Sequence, residues 1–304
     1  MQQLITNTKN ASHIPVLVHV CSPAKEVWVL FCRSVLANVR SPLLICLNLA
    51  SSLLVAASVG FIFRDAGKDT PGIQKRMGSI FFMLLYLAMI SLGSLPVWHQ
   101  NYKVFQKEQC SRLYRVSSYF SAVVLNEFLL LRSIPPLIFY LSYYMITLRG
   151  GTSHILSFIS VLMLTNCTLT GVIFVIGTAT RKTTVANVIG SVVMLLYTLF
   201  AGFLLNRSDM SAVINVVARV SPLRYAFQIL LINEFHGLPK GYFIFTDPSN
   251  KDAPGFPVSG DTILETFGFD TQGSIYDYAF ISIILLISLV CSYVLLRIGT
   301  FNRN

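Results

Sequence analysis

Charge is what this sequence has least of. Asp, Glu, Lys and Arg make up only 12% of its 304 residues, and just 13 residues are acidic. A soluble domain carries about 25% charged residues. Hydrophobic residues reach 54%, and the mean hydropathy is +0.65. An ordinary soluble domain is excluded, and an integral membrane chain is expected.

Catalytic signatures are missing as well. The sequence contains no HExxH, no GxSxG and no phosphate-cradling GxxxxGK[ST], and its five histidines (13, 19, 99, 154 and 236) are scattered. No ladder of membrane carboxylates suggests a proton relay, and no helix with arginine at every third position suggests a voltage sensor. These absences argue against catalysis, and they leave the chain without an energy source of its own.

What is present is a set of long uncharged runs. A bilayer core of about 30 Å needs roughly 20 apolar residues of helix. Five runs meet that need within a residue: Pro42–Phe63, Met77–Trp98, Ile155–Thr180, Thr183–Asn206 and Tyr278–Leu296. A sixth, 121–148, is interrupted by Glu127 and Arg132. The expected class is all-α and membrane-embedded, with six spans at about 42–63, 77–98, 121–148, 155–180, 183–206 and 278–296. A tail or linker covers 1–23. No secretory signal pattern is visible in residues 1–40, so the first span is expected to direct insertion.

Lysine and arginine set the orientation. With the N-terminus inside, the inner segments hold twelve of them and the short outer loops five. The long loop 207–277 is set aside, because long loops translocate largely regardless of charge. Both termini are then cytoplasmic, in a plasma or organelle membrane. The net charge of +10 reads as this inner bias, so no nucleic-acid partner is expected. Of the six cysteines (21, 32, 46, 110, 167 and 291), none falls in an outer loop and none forms a CxxC pair. An external disulfide is therefore not expected.

Smaller features refine the picture. Ser22-Pro23 reads as a helix start. In 24–40, Glu26, Arg33 and Arg40 share one face, with Trp28 among the apolar residues elsewhere. This suits an amphipathic helix at the cytoplasmic interface; a helix packed on another domain is the alternative, and both can hold together. Ala56 and Gly60 form a small-xxx-small pair that permits close helix contact. The intramembrane charges Glu127 and Arg132 suit either a snorkelling or paired arginine or a place on a substrate path. Pro135-Pro136 is expected to kink the helix there. The apolar runs Met210–Ala218 and Tyr225–Asn233 are too short to cross and read as re-entrant or interfacial helices, followed by a folded external loop. Asn206-Arg207-Ser208 is a glycosylation sequon on the outer side, close to the membrane.

Several stretches together carry a resemblance. They are TPGIQKRMGSIFF (70–82), YRVSSYF (114–120), LRSIPPLIF (131–139), AGFLLN (201–206), SPLRYAFQILLINEF (221–235) and SGDTILETFGFD (259–270). Their order and spacing resemble the ABC-2 type transmembrane domain of the ABC transporter G subfamily, the White and breast cancer resistance protein group. The resemblance covers roughly residues 25–300, within a membrane domain of 24–304. It implies two subunits, as a homo- or heterodimer, around a central cavity that exports amphipathic, lipid- or sterol-like or xenobiotic molecules. Phe82, Tyr86 and Met89 of the second span and Leu195 and Thr198 of the fifth would line that cavity, and Phe203 and Leu204 would plug it outwardly. Where multidrug members have a phenylalanine clamp, this sequence has Met89. Lys103, Lys107, Glu108 and Arg112 occupy the place of the coupling helix that rests on the nucleotide-binding domain. That domain, with its ATP and Mg, is absent from these 304 residues and is expected in cis or from another chain. The rival readings are a truncated subunit that dimerises with and regulates full-length partners, and a six-span channel or secondary carrier.

Overall fold

The computed structural model describes residues 22–40, 42–110, 113–180, 182–203, 218–238, 243–245, 256–269 and 274–301. Helix α1 (Pro23–Arg40) begins where Ser22-Pro23 predicts, with the Glu26 amide bonded to the Ser22 carbonyl at 3.1 Å. Its Trp28 is exposed. Then come α2 (Pro42–Ile62), α3 (Thr70–Leu92) and α4 (Ser94–Cys110). The second expected span therefore starts earlier and ends later than its uncharged run. Arg76 lies buried inside α3, so charge did not mark the helix start. At the other end α4 continues the rod through Lys103, Lys107 and Glu108.

The third span is built in pieces. Helix α5 (Val116–Asn126) passes into a π turn, Glu127–Leu131, and a new helix, α6 (Ile134–Ile146), follows. The expected kink at Pro135-Pro136 takes a different form. Both prolines sit in the first turn of α6, where a missing amide donor leaves nothing unsatisfied. The break lies before them, at Arg132-Ser133.

Helices α7 (Thr152–Ala179), α8 (Thr183–Leu199), α9 (Pro222–Phe235), α10 (Gly260–Thr266) and α11 (Ser274–Phe301) complete the described helices. Strands β1 (Phe243–Phe245) and β2 (Phe256–Val258) pair antiparallel, with Ile244 opposite Pro257. Among the described residues, five helical stretches are long and apolar enough to cross a membrane, and α8, at 17 residues, is a shorter apolar helix. The chain is an integral membrane protein of the all-α class.

Helix α7 is the hub, packing against α3, α4, α6, α8, α9 and α11. Small residues permit this closeness. A Cβ on Gly171 would stand 2.5 Å from the Ser288 hydroxyl of α11. The α9 helix is buried along nearly its whole length, although it is too short to span. A second apolar cluster, including Leu30, Trp98, Phe105, Tyr119 and Phe174, ties α1, α4, α5 and α7 together at the end where α1 lies. Trp98 stacks on Phe174 at 4.4 Å there.

Candidate translocation surface and coupling end

The residues expected to couple to a nucleotide-binding domain lie at the end built from α1, α4 and α5. Glu108 does not point away from the protein. Arg33 of α1 donates to both of its carboxylate oxygens, at 2.8 and 3.0 Å, and the Tyr114 hydroxyl donates to one of them. Burial and the Glu108 carboxylate push the Tyr114 phenol up, so it remains a donor. Tyr114 in turn belongs to an aromatic stack in which Phe105 and Tyr119 face each other at 4.3 Å. Glu26 is equally engaged. It accepts the Ser118 hydroxyl at 2.8 Å and the Arg115 amide at 3.4 Å, which places a carboxylate at the positive N-terminus of α5. Lys103 and Lys107 are exposed on the outside of α4. Arg112 lies outside the described residues.

Glu127 and Arg132 form a buried pair, 5% and 4% exposed. The π turn brings them together. Its wider coil bonds the Arg132 amide to the Glu127 carbonyl at 2.9 Å, so residues five apart share one side. Arg132 donates twice to Glu127 Oε1, at 3.0 and 2.7 Å, and also to the Ile90 carbonyl at 3.0 Å and the Ser94 hydroxyl. Ser94 donates to the same carboxylate oxygen at 3.1 Å. Asn166 of α7 donates to the Arg132 carbonyl at 2.8 Å. The arginine is thus paired and does not snorkel.

Sequence reasoning missed a second buried pair. Arg76 of α3 bonds Glu234 of α9, and it also donates to the carbonyls of Ala66 at 2.8 Å and Thr147 at 3.1 Å. The other Glu234 oxygen accepts the Arg149 amide at 2.8 Å. One ion pair therefore fastens the turns after α2 and α6 to α9. The only sequence signals were an arginine beside an uncharged run and a lone acid in NEF.

The expected cavity residues divide into two groups. Phe82 and Met89 are 46% and 42% exposed on one face of α3, and Leu195 of α8 is 63% exposed. Tyr86 lies between them in sequence but is half-buried, with its hydroxyl 3.0 Å from that of Ser51 and 2.9 Å from that of Ser52. Thr198 is buried and donates to the Met194 carbonyl at 2.8 Å. It falls on the inward stripe Ala186, Gly190, Met194 and Thr198, away from Leu195. Phe203 stacks on Phe81 at 4.7 Å and meets Phe227 edge-on at 6.1 Å. It follows Gly202, whose φ of +97° turns the chain at the end of α8. Phe203 also borders a cavity of about 480 Å³ under α10, shared with Ile73, Met77 and Thr262. Leu204 and Asn206 lie outside the described residues.

The comparisons with known proteins agree with this architecture. The sequence profile of the family described as ABC-2 type transporter matches residues 25–235. The chain belongs to that family. ABC transporter G family member 24 of Dictyostelium discoideum is 30% identical over 293 residues, which is 94% of this chain and 25% of that protein. Protein white of Drosophila melanogaster is 30% identical over 273 residues, covering 90% of this chain and 39% of that protein. The broad substrate specificity ATP-binding cassette transporter ABCG2 of Sus scrofa is 27% identical over 187 residues, 61% of this chain and 28% of that protein. This ABC-2 type chain thus spans between a quarter and two fifths of the length of these relatives, and its recognition as a G-type membrane domain rests on most of its own length.

Proposed function

We propose that residues 24–304 form the membrane domain of a G-type ABC exporter that moves amphipathic, lipid- or sterol-like or xenobiotic molecules outward by alternating access. One observation carries this reading. Phe82 and Met89 on α3 and Leu195 on α8 present large apolar side chains outward, while the opposite side of α8 is packed against the bundle. A second subunit facing this surface, in a homo- or heterodimer, encloses an apolar cavity between the two copies. Six spans with both termini cytoplasmic place the α1–α4–α5 end inside the cell.

That end meets the nucleotide-binding domain, supplied in cis or in trans. ATP and Mg bind there, and ATP hydrolysis supplies the driving force. The exposed Lys103 and Lys107, with Arg112, make the contact. Glu108 acts from behind, locking α4 to α1 through Arg33 and to the start of α5 through Tyr114. Displacement of α4 is then transmitted to α1 and α5 together. At the outer end Phe203, with Leu204, forms the plug, and its stack on Phe81 holds it over the α3 face.

The test is ATP-dependent uptake of amphipathic substrates into inverted vesicles, with and without a supplied nucleotide-binding domain. Uptake that requires both ATP and the supplied domain is expected. Uptake driven by an ion gradient alone identifies a carrier. Absence of uptake, together with changed turnover of a full-length partner, identifies a regulatory subunit.

A further inference from the structure

A groove of about 340 Å³ opens at the surface between α2 and the α3–α4 junction, with Glu127, Leu131 and Arg132 at the π turn among its lining. This is within the range of small-molecule pockets, about 300–1,000 Å³. It is separate from the α3–α8 face. Its walls are apolar: Leu44 and Leu47 stand 55% and 57% exposed at its rim, with Ile90, Val97 and Leu131 among its lining.

Three polar groups in this groove have unused hydrogen-bonding capacity. All hydrogen bonds to the Glu127 carboxylate go to Oε1, and Oε2 takes none from any described residue. Glu127 is nonetheless 5% exposed and lines the groove. Asn48 also lines it; its carbonyl accepts the Ser51 and Ser52 hydroxyls, while its side-chain amide has no partner among the described residues. Asn38 donates its amide nitrogen to Asn126 at 3.1 Å, and its oxygen accepts from no described residue. Asn48 lies six residues into α2, about 9 Å along the helix from Pro42. It falls within an apolar helix long enough to cross a membrane, where polar groups left unpaired are unfavourable.

We infer that this groove binds a neutral amphiphile of the leaflet on the α1 side, whose head carries a hydroxyl or amide donor and whose body is apolar. Acceptors predominate among the unpaired groups, so the head must donate. Arg132 already neutralises Glu127, so a charged head finds no counter-charge to replace its lost hydration. The apolar walls take the body, and the open side faces the lipid from which it comes. A sterol hydroxyl and a ceramide amide and hydroxyl share this chemistry. The leaflet is the inner one under the orientation proposed above, and the inference rests on the exporter reading for that orientation alone.

The test uses the full chain in lipid nanodiscs with two diazirine photoprobes, one a sterol and one a ceramide, and maps the labelled peptides. Label on 42–51, 90–97 or 127–132 from either probe is expected, and the stronger probe identifies the source. Asn48→Leu removes one hydrogen-bonding group, so the labelling should fall about fivefold, the equivalent of about 1 kcal/mol. Leu44→Trp, at an exposed rim position, should reduce it by blocking the groove, and Leu286→Trp on the exposed face of α11 should not. A 3-O-methyl sterol should label weakly. Equal labelling by the methyl ether, labelling spread over every lipid-facing helix, or indifference to both groove variants overturns the inference. Transport without groove labelling also overturns it while leaving export standing. Groove labelling without transport supports it and counts against export.

Discussion

The two buried ion pairs use the same chemistry for different ends. Glu127 and Arg132 are five residues apart in one element, and Arg76 and Glu234 are separated by 158. The first pair holds its own π turn and adds contacts to the Ile90 carbonyl and the Ser94 hydroxyl beside it, at the back of a groove. The second joins four separate stretches of chain, since Arg76 also holds the Ala66 and Thr147 carbonyls and Glu234 holds the Arg149 amide. A local pair that fails loosens the π turn and its contacts at the α3–α4 junction. A long-range pair that fails releases the turns after α2 and α6 from α9 together.

This contrast predicts a ranking. Glu234→Gln should have the largest effect. It leaves the Arg76 guanidinium buried without a counter-charge, a change that costs about 3–5 kcal/mol. The expected result is loss of the monodisperse peak in detergent chromatography and a large drop in melting temperature. The double variant Arg76→Met, Glu234→Met should recover much of that loss, because replacing a whole buried pair by apolar residues is often neutral. Failure of the double variant to recover would show that the carbonyl contacts of Arg76 matter more than the charge pairing.

Arg132→Met ranks next. It strands Glu127, but this carboxylate borders an open groove, so the destabilisation should fall near the lower end of the same range, about 3 kcal/mol or less. The melting temperature checks this, and a drop as large as that of Glu234→Gln would erase the distinction between local and long-range pairs.

Phe203→Ala should follow. Removing a half-buried ring loses at most about 1.5–3 kcal/mol of burial, so surface expression should hold while turnover in an ATPase-supplied assembly changes. Unchanged transport at normal expression would remove Phe203 from the plug.

The smallest effect on stability belongs to the exposed pair at the coupling end. Glu108→Arg breaks its bonds to Arg33 and Tyr114, yet an exposed pair contributes only about 0–1 kcal/mol. Insertion and assembly should survive, while stimulation of ATP hydrolysis by substrate should be lost. Glu26→Arg is not a neutral control, because Glu26 bonds the first turn of α5. Glu265→Arg, at an exposed position on α10, serves instead. Normal coupling by Glu108→Arg would reduce the segment to an ordinary loop.

How much was legible follows from the range of each interaction. The helix start at Pro23 could be read because a proline cap is a matter of a few neighbouring residues. The long apolar helices could be read because lipid demands a continuous length. The start of α3 at Thr70 could not, since burying Arg76 depends on an acid in a distant helix. Tyr86 and Thr198 show the same limit within the candidate site. The resemblance grouped Tyr86 with Phe82 and Met89, but the hydroxyls of Ser51 and Ser52 hold it toward α2. Thr198 was grouped with Leu195, yet it belongs to the stripe that packs inward.

The amino-acid sequence by itself determined the solvent and the architecture class. Scarce charge and long apolar runs admit a membrane, and a membrane admits helices whose backbone bonds close within the segment. Local order also marked the third span as the one interrupted, through Glu127, Arg132 and the prolines that start its second helix. Only the tertiary structure decided which charges meet, because ion pairs between helices depend on packing and not on spacing along the chain. It turned Glu108 onto Arg33, buried Arg76 against Glu234, and left Glu127 Oε2 and the Asn48 side-chain amide without a partner among the described residues.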